Sequence, residues 1–129
     1  MPTRKTGTMA ETAPWPTEIR VKREERLLEI DFDDGRSFSY PAELLRVESP
    51  SAEIQGHTPS QKVTIGGKRR VGIVRLEPVG NYAVRIVFDD GHSTGIYSWS
   101  WLHRLGAEQA IIWAAYLAEL ERQGLSRDG

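Results

Sequence analysis

The segments EIDFDDGRSFSYPAELLR (29–46) and RIVFDDGHSTGIYSWSWLHR (85–104) share one plan. Six residues of the first (Ile, Phe, Asp, Asp, Gly and Ser, between positions 30 and 37) recur 56 residues later. After one inserted residue, Tyr40 corresponds to Tyr97, and Leu44-Leu45 corresponds to Trp101-Leu102. We interpret this as an internal repeat, and the architecture of the chain follows from it.

Each copy begins with a strand signal followed by a turn signal. Residues 26–32 and 82–88 alternate apolar and polar side chains, which is typical of a half-buried strand. The Asp-Gly pair that follows predicts a two-residue hairpin turn, because such turns require positive φ angles. A second strand is predicted over 36–40 and 92–97. Each copy therefore supplies one β-hairpin.

A helical turn is predicted after each hairpin, starting at Pro41 in the first copy and with Ser98 as N-cap in the second. Further strands are predicted over 17–23 and 71–79. Residues 62–65 are predicted to form one strand of a hairpin that turns at Gly66-Gly67. The last element is a helix over 107–124, with an apolar middle on nearly all sides. Its surplus apolar surface is either buried within the chain or covered in a homo-oligomer.

These elements predict an α+β fold with two layers. It contains a mostly antiparallel sheet built from two repeated Asp-Gly hairpin units, short helical turns and one C-terminal helix. We expect a flexible leader over 1–16, a single domain over 17–124 and a tail over 125–129.

The composition excludes several classes of protein. The 129 residues carry a net charge of −1, so the basic excess of a nucleic-acid-binding protein is missing. No apolar run is long enough for a membrane helix, and no secretory signal is visible. The chain has no cysteine, which excludes disulfides and thiolate metal sites. We therefore expect a cytoplasmic protein without a nucleic-acid or membrane partner.

The pentapeptide GHSTG (91–95) has the pattern of a hydrolase nucleophile, with Ser93 at its centre. That motif requires a strand, a strained turn and then a helix, with an acid and a histidine later in the chain. Here the motif follows an Asp-Gly turn and leads into a predicted strand. We interpret Ser93 as a turn residue that corresponds to Ser37 in the first copy.

Other chemical signals are weak. The sequence GGKRRVG (66–72) lacks the first glycine and the Ser or Thr of a phosphate-binding loop. We interpret Lys68, Arg69 and Arg70 as a solvated basic tip that can contact an acidic partner. Trp99 is expected to be partly exposed, and exposed tryptophans are common in binding hot spots.

Three stretches together resemble a known family: LLRVESPSAEIQGH (44–57), PVGNYAVRIVFDDGHSTGIYSWSWLHRLG (78–106) and the apolar C-terminal helix. The chain is similar to the N-terminal domain of gamma-butyrobetaine hydroxylase and trimethyllysine hydroxylase, formerly unknown-function family 971, over about 17–124. The resemblance implies a small α+β domain that stands alone in bacteria or is fused to other proteins. Some fusions are with a P-loop ATPase of iron–sulfur cluster assembly, and others with an iron- and 2-oxoglutarate-dependent oxygenase domain.

The resemblance also implies a zinc position. The hydroxylase domain holds a structural zinc through a Cys-Pro-Cys-x-x-Cys cluster and a later histidine. Ser49, Ser51 and Ile54 stand at the three cysteine positions of this chain, and His92 stands at the histidine position. Serine is a poor zinc ligand and isoleucine is none, so we expect neither zinc nor another cofactor. His92 is then expected to hydrogen-bond the 47–57 segment instead.

Three functions remain open at this point. The first is a non-enzymatic, stand-alone interaction or scaffold module, accessory to iron–sulfur cluster assembly or to an oxygenase. It has no catalytic residues and uses a surface of His92, Trp99 and Lys68–Arg70 to bind a protein partner, with an iron–sulfur assembly ATPase as the expected partner. The second is a zinc- or iron-binding protein that uses His92 and His57. The third is a serine hydrolase at Ser93.

Overall fold

The computed structural model describes residues 14–129, which form two similar halves joined by an irregular segment. Positions 1–13 of the predicted leader lie outside the described residues, and Pro16 already belongs to the first strand. The first half contains β1 (Pro16–Lys22), β2 (Leu27–Phe32), β3 (Ser37–Pro41) and α1 (Ala42–Val47). The connecting segment carries α2 (Ala52–Gln55) and a single 3-10 turn (Pro59–Gln61). The second half contains β4 (Ile73–Val79), β5 (Ala83–Phe88), β6 (Ile96–Ser98), α3 (Trp99–Ala107) and α4 (Gln109–Gln123).

The predicted α+β fold is confirmed, with two antiparallel sheets of three strands where the sequence suggested one sheet. Their strand orders are β1-β2-β3 and β4-β5-β6. The pairing register of the first strand in each sheet shifts at an equivalent place, directly after a residue that pairs with a phenylalanine. In β1 this residue is Pro16, which pairs with Phe32, and in β4 it is Ile73, which pairs with Phe88. The repeat therefore extends beyond the hairpins to the strand that precedes each of them.

Both Asp-Gly sites lie in hairpin loops, but the prediction of two-residue turns was wrong, because each loop has three residues. In the second half, Phe88 N donates to His92 O over 3.0 Å and Gly91 N donates to Phe88 O over 3.2 Å, and the first half repeats both bonds. Only the glycines have positive φ, 86° at Gly35 and 92° at Gly91. A three-residue loop requires one left-handed residue, whereas the expected turn requires two.

The aspartate before each glycine connects the two halves. One carboxylate oxygen accepts the backbone N–H two residues later, over 3.0 Å in both loops. The other oxygen contacts a helix of the opposite half: Asp34 Oδ2 lies 2.8 Å from His103 Nε2, and Asp90 Oδ2 lies 2.8 Å from Arg46 Nε. Arg46 and His103 occupy equivalent positions in the repeat, so each hairpin is held by the helix of the other half.

Two tyrosines in the core also connect each half of the molecule to the other half. Tyr40 Oη donates to Leu102 O over 2.7 Å, and Tyr97 Oη donates to Leu45 O over 2.6 Å. Both tyrosines are fully buried, and burial raises the pKa of each phenol above its usual value. The donors are equivalent in the repeat and so are the acceptors. The two halves therefore make equivalent contacts to each other, in an approximately twofold arrangement.

One hydrophobic core joins the halves. The inward-facing residues of the two central strands, β2 and β5, belong to the same buried cluster as residues of α1 and α3. The cluster includes Leu28, Ile30, Phe32, Leu44, Leu45, Ile86, Phe88, Leu102 and Leu105.

The C-terminal helical region is divided into two helices. Ser98 is the N-cap of α3, as predicted, and its Oγ accepts the Trp101 N–H over 3.1 Å. The helix predicted over 107–124 is α4, which begins at Gln109, because Glu108 (φ −106°, ψ 17°) interrupts the helical backbone. It ends before Gly124, whose φ of 70° suits a C-terminal glycine. None of the helices between residues 14 and 129 has the length and hydrophobicity that crossing a bilayer requires.

The hairpin predicted around Gly66-Gly67 was wrong. Residues 62–65 form no strand, and Val63 N donates instead to Ile54 O over 2.7 Å. The residues after α4 take up the next contacts, because Gly67 N donates to Ser126 O over 2.9 Å. The predicted tail, 125–129, thus packs along this segment, and Arg127 forms a 2.7 Å ion pair with the buried Glu43.

Candidate functional site

The four residues at the family's zinc positions meet in one buried corner, which we call the His92 corner (Ser49, Ser51, Ile54 and His92). Ser49 follows α1, Ser51 is the N-cap residue of α2, and Ile54 lies within α2. His92 is the first residue after the second hairpin loop. Their exposed fractions are 0, 6, 3 and 8%, so the corner is closed to bulk solvent.

Hydrogen bonds connect the polar members of the His92 corner. The distance from Ser49 Oγ to His92 Nε2 is 3.0 Å, that from Ser51 Oγ to the same nitrogen is 3.5 Å, and the two hydroxyl oxygens are 3.2 Å apart. The expected contact between His92 and the 47–57 segment is therefore present. Buried polar groups normally have such partners, because an unpaired one costs stability.

Gly95 allows this close approach. A Cβ atom at position 95 would lie 2.3 Å from Ser49 Oγ, closer than any tolerable contact. The loop between β5 and β6 can pass over the serine only where a side chain is missing. The glycine that closes the GHSTG motif thus serves packing.

The environment of His92 favours the neutral imidazole. Burial lowers the pKa of His92, and the positive charge of Arg46 lowers it further, whereas the carboxylates of Glu53 and Asp90 oppose the shift. The nearer carboxylate, Glu53, lies 3.6 Å from His92 Nδ1 and is 65% exposed, so water screens its charge. His92 therefore acts as a hydrogen-bonding group at neutral pH.

Asp90 is the charged centre beside this corner. Its Oδ2 contacts Arg46 Nε at 2.8 Å and Lys68 Nζ at 2.7 Å, while Oδ1 accepts the His92 N–H. Burial alone would raise its pKa, but these three donors bring the pKa of Asp90 down to about 2. Asp90 is thus ionised over the whole physiological range and fixes the hairpin to α1. This role could not be predicted from the sequence, because an aspartate before a glycine is typical of a turn and does not indicate a contact with a distant helix.

The His92 corner does not fit zinc. Its donor set is one imidazole and two neutral hydroxyls, and the fourth position is an aliphatic side chain. Structural zinc sites require four ligands drawn from thiolates, imidazoles and carboxylates. Across residues 14–129, no group of three His, Cys, Asp or Glu side chains is placed to hold a metal ion. His57, the proposed second ligand, is exposed and its backbone N–H donates to Gln61 Oε1.

Ser93 does not have the surroundings of a nucleophile. It lies in a loop between two strands, β5 and β6, rather than at a strand-to-helix turn. The histidine next to it bonds to Ser49 and Ser51, and His103 bonds to Asp34. The residues between 14 and 129 thus bring no histidine to the hydroxyl of Ser93.

The three residues of the predicted basic tip, Lys68–Arg70, do not share one environment. Lys68 pairs with Asp90, and Arg69 pairs with Asp128 of the C-terminal segment at 2.5 Å. Arg70 is exposed. Because His92 is buried, the expected surface of His92, Trp99 and Lys68–Arg70 is not a single contact surface. Lys68 lies near His92 through Asp90, whereas Trp99 belongs to a different group of residues.

Trp99 lies in what we call the aromatic groove (Trp15, Tyr82 and Trp99). It is a groove of about 280 Å³, also lined by Pro14, Ser98 and Ser100. The Trp99 indole is held in place because its Nε1 donates to Asn81 O over 2.9 Å. Trp15 is 46% exposed and Tyr82 is 54% exposed. The sequence indicated Trp99 alone, since its two neighbours are 84 and 17 positions away in the chain.

Comparisons with known proteins agree with this architecture. A model of the gamma-butyrobetaine hydroxylase-like N-terminal family matches residues 19–103. Two solution NMR structures are similar over nearly the whole chain. One is 43% identical with a TM-score of 0.78, covering 90% of this chain and 91% of that one. The other is 47% identical with a TM-score of 0.79, covering 95% and 91%.

A crystal structure of a DUF971-family protein of unknown function from Acidithiobacillus ferrooxidans is 40% identical, with a TM-score of 0.60. The alignment covers 78% of this chain and 100% of that one. No curated protein matches the chain. The family match spans well over half of the sequence and includes both hairpins and the His92 corner. The chain therefore belongs to the gamma-butyrobetaine hydroxylase-like N-terminal family.

Proposed function

We propose that this chain is a non-enzymatic binding module of the cytoplasm that contacts a protein partner through the aromatic groove. The observation that carries the proposal is that the exposed Trp15 and Tyr82 line one groove together with the partly buried Trp99. Trp15 and Tyr82 are each about half exposed, and the groove that they line also contains Ser98 and Ser100. Aromatic side chains of this kind dominate binding hot spots, because they bury a large area at a small entropy cost.

The groove is also prepared for binding. The backbone N–H of Trp99 donates to Tyr82 O over 3.2 Å, in addition to the bond between its indole and Asn81 O. Two of the three aromatic residues are therefore coupled before a partner arrives. A surface that is already ordered loses little conformational entropy on association.

The state of the polar groups supports a binding role over an enzymatic one. Asp34, Asp90 and His92 are the side chains that a sequence pattern would nominate for chemistry. All three are engaged by partners inside the fold, and two of them connect the halves of the molecule. A catalytic group normally faces a substrate cavity, whereas the bonds of these three side chains hold elements of the fold together.

The identity of the partner rests on the family. The resemblance implies fusion to a P-loop ATPase of iron–sulfur cluster assembly in some proteins and to an oxygenase domain in others. A domain that is fused to an enzyme in one protein often binds that enzyme as a separate chain in another. We therefore propose that the partner is the iron–sulfur assembly ATPase, with an oxygenase as the second candidate.

The test is calorimetric titration of the full chain into the purified ATPase from the same organism. We expect binding by the natural chain and at least a tenfold loss of affinity for Tyr82→Ala and for Trp15→Ala, since hot-spot truncations cost about 2 kcal/mol or more. Val74→Ala is the matched control, because Val74 is also an exposed apolar residue but belongs to β4 and does not line the groove.

Thermal unfolding of each variant separates lost binding from lost folding. Equal affinity of all variants would reject the aromatic groove as the contact surface. If the chain binds the oxygenase but not the ATPase, the proposal of a binding module stands and the oxygenase is its partner. Stoichiometric metal in the purified chain would favour the metal-binding alternative.

A further inference from the structure

Helix α4 presents an apolar face that residues 14–129 leave uncovered. Of its fifteen residues only Tyr116 and Leu120 are buried. Ile111 is 75% exposed and Leu117 is 39% exposed, and Ala114 between them is exposed as well. Large aliphatic side chains grouped at this level of exposure mark an interface more often than a free surface.

The spacing of this face is that of a helix pair. Ala110, Ala114, Leu117 and Glu121 are exposed and follow one another at intervals of four, three and four residues, and Ile111 and Ala118 lie on the same face. This is the alternation by which one helix contacts another along its whole length. The small side chains near the centre allow the two helix axes to approach closely.

We propose that the covering partner is a second copy of this chain, packed through an antiparallel pair of α4 helices with the twofold axis at Ala114. In that arrangement Ala114 meets Ala114, and Ile111 of each copy meets Leu117 of the other. The same patch serves both copies, which is the defining property of a twofold interface. The inference goes beyond the proposed function and does not depend on the ATPase.

The charges at the ends of the face fit the antiparallel arrangement. Glu108 and Arg122 are fourteen residues apart and thus lie on the same flank of the helix. The twofold axis at Ala114 places Glu108 of one copy within about half a helical turn of Arg122 of the other, close enough for the two side chains to pair. Both side chains are exposed, and within one chain Glu108 pairs with Arg104 and Arg122 pairs with Glu119. A parallel pair would place like charges at the same level instead.

A groove beside the face supplies a receptor for the second copy. It has a volume of about 400 Å³ and is lined by Pro41, Leu44, Gly106, Gln109, Ala110 and Trp113. In the antiparallel pair, Leu117 of the second copy lies next to Ala110, at the edge of this groove. An aliphatic side chain entering an apolar groove adds buried area that two helices alone would lack.

Sedimentation equilibrium of the full chain tests the dimer. We expect a monomer–dimer equilibrium within the micromolar range, and at least a tenfold weaker association for Ile111→Glu. Val74→Glu is the matched control, an exposed apolar residue of β4, and it should dimerise normally. A monomer at all concentrations up to several hundred micromolar would overturn the proposal.

Disulfide trapping tests the antiparallel register, and the natural chain has no cysteine to interfere. Ala114→Cys places two thiols across the twofold axis and should give a covalent dimer under mild oxidation. Ala107→Cys places them at opposite ends and should give none. Equal trapping of both variants, or trapping of Ala107→Cys alone, would overturn the antiparallel arrangement. Circular dichroism of each variant confirms that the comparison is between folded proteins.

Discussion

The replacement of Ser49 by alanine removes the central hydrogen bond of the His92 corner. The Ser49 hydroxyl is fully buried, lies 3.0 Å from His92 Nε2 and 3.2 Å from Ser51 Oγ, and accepts the Ser51 N–H at 3.3 Å. In the variant, His92 Nε2 keeps only the longer 3.5 Å contact with Ser51 Oγ. A buried polar group without a proper partner costs about 1–3 kcal/mol. We expect the free energy of unfolding to fall by about 2 kcal/mol.

The matched control is Ser51→Ala, which removes the weaker partner of the imidazole and leaves the 3.0 Å bond in place. We expect it to cost about 1 kcal/mol or less. Urea unfolding followed by tryptophan fluorescence at neutral pH measures both values. A cost for Ser49→Ala no greater than that for Ser51→Ala would refute the view that the serine replaces a metal bridge.

The pH dependence of the same measurement reports on His92 itself. The pKa of His92 is lowered in the folded state from its ordinary value of 6.5, by burial first and by Arg46 second. The unfolded chain therefore binds a proton at a pH where the folded chain does not. Stability is complete above pH 6.5 and is lost as the pH falls toward the folded pKa, with a slope of up to about 1.4 kcal/mol per pH unit. His92→Gln should flatten this slope between pH 7 and 5, and an unchanged slope would contradict the assignment.

Three further outcomes are expected. Gly91→Val should destabilise the fold by about 1–3 kcal/mol, because a β-branched residue resists the φ of 92° although open space surrounds the position; an unchanged melting temperature would contradict the loop geometry. Tyr97→Phe should cost about 1–2 kcal/mol in urea unfolding, since the deletion leaves a buried backbone carbonyl without its donor, and a neutral effect would refute the exchange between the halves. Joint replacement of Ser49, Ser51 and Ile54 by cysteine should give a chain that binds one zinc ion by elemental analysis, and failure of the folded variant to do so would refute the spatial equivalence to the family's zinc positions.

The repeat made much of the fold predictable from sequence. The correspondence between Tyr40 and Tyr97 identified both hairpins and the helix that follows each of them. It did not show that each tyrosine bonds to the opposite half, because a repeat in sequence does not say whether the copies exchange contacts. Loop length was missed for a local reason: Asp-Gly suits both a two-residue and a three-residue hairpin, and backbone register decides between them.

The segment between the halves was the least predictable part of the fold. The KVTI stretch over 62–65 has strand propensity, but its backbone bonds to other elements: Val63 N donates to Ile54 O, and Ile65 O accepts from the Tyr116 hydroxyl. Tertiary contacts thus override the local preference here. The connecting segment also holds the predicted tail in place, because the backbone N–H groups of Gly67 and Arg69 donate to Ser126 O and Arg127 O of the tail.

The candidate site was predicted in part. The resemblance identified Ser49, Ser51, Ile54 and His92, and the structure brings these four residues together. Burial of His92 could not be inferred from a polar sequence context, and the structure places its side chain inside the fold and not on the expected contact surface. The aromatic groove was missed because Trp15 and Tyr82 come from separate elements that no short motif connects.

The central claim is that this module binds its partner through the aromatic groove and leaves the His92 corner as internal structure. The most direct test is an NMR titration of the ¹⁵N-labelled chain with the iron–sulfur assembly ATPase, observed at the four tryptophan indole signals. We expect the signals of Trp15 and Trp99 to shift or broaden, while those of Trp101 and Trp113 and the backbone signal of His92 stay unchanged. Shifts confined to His92 and its neighbours, or an absence of any shift, would contradict the account.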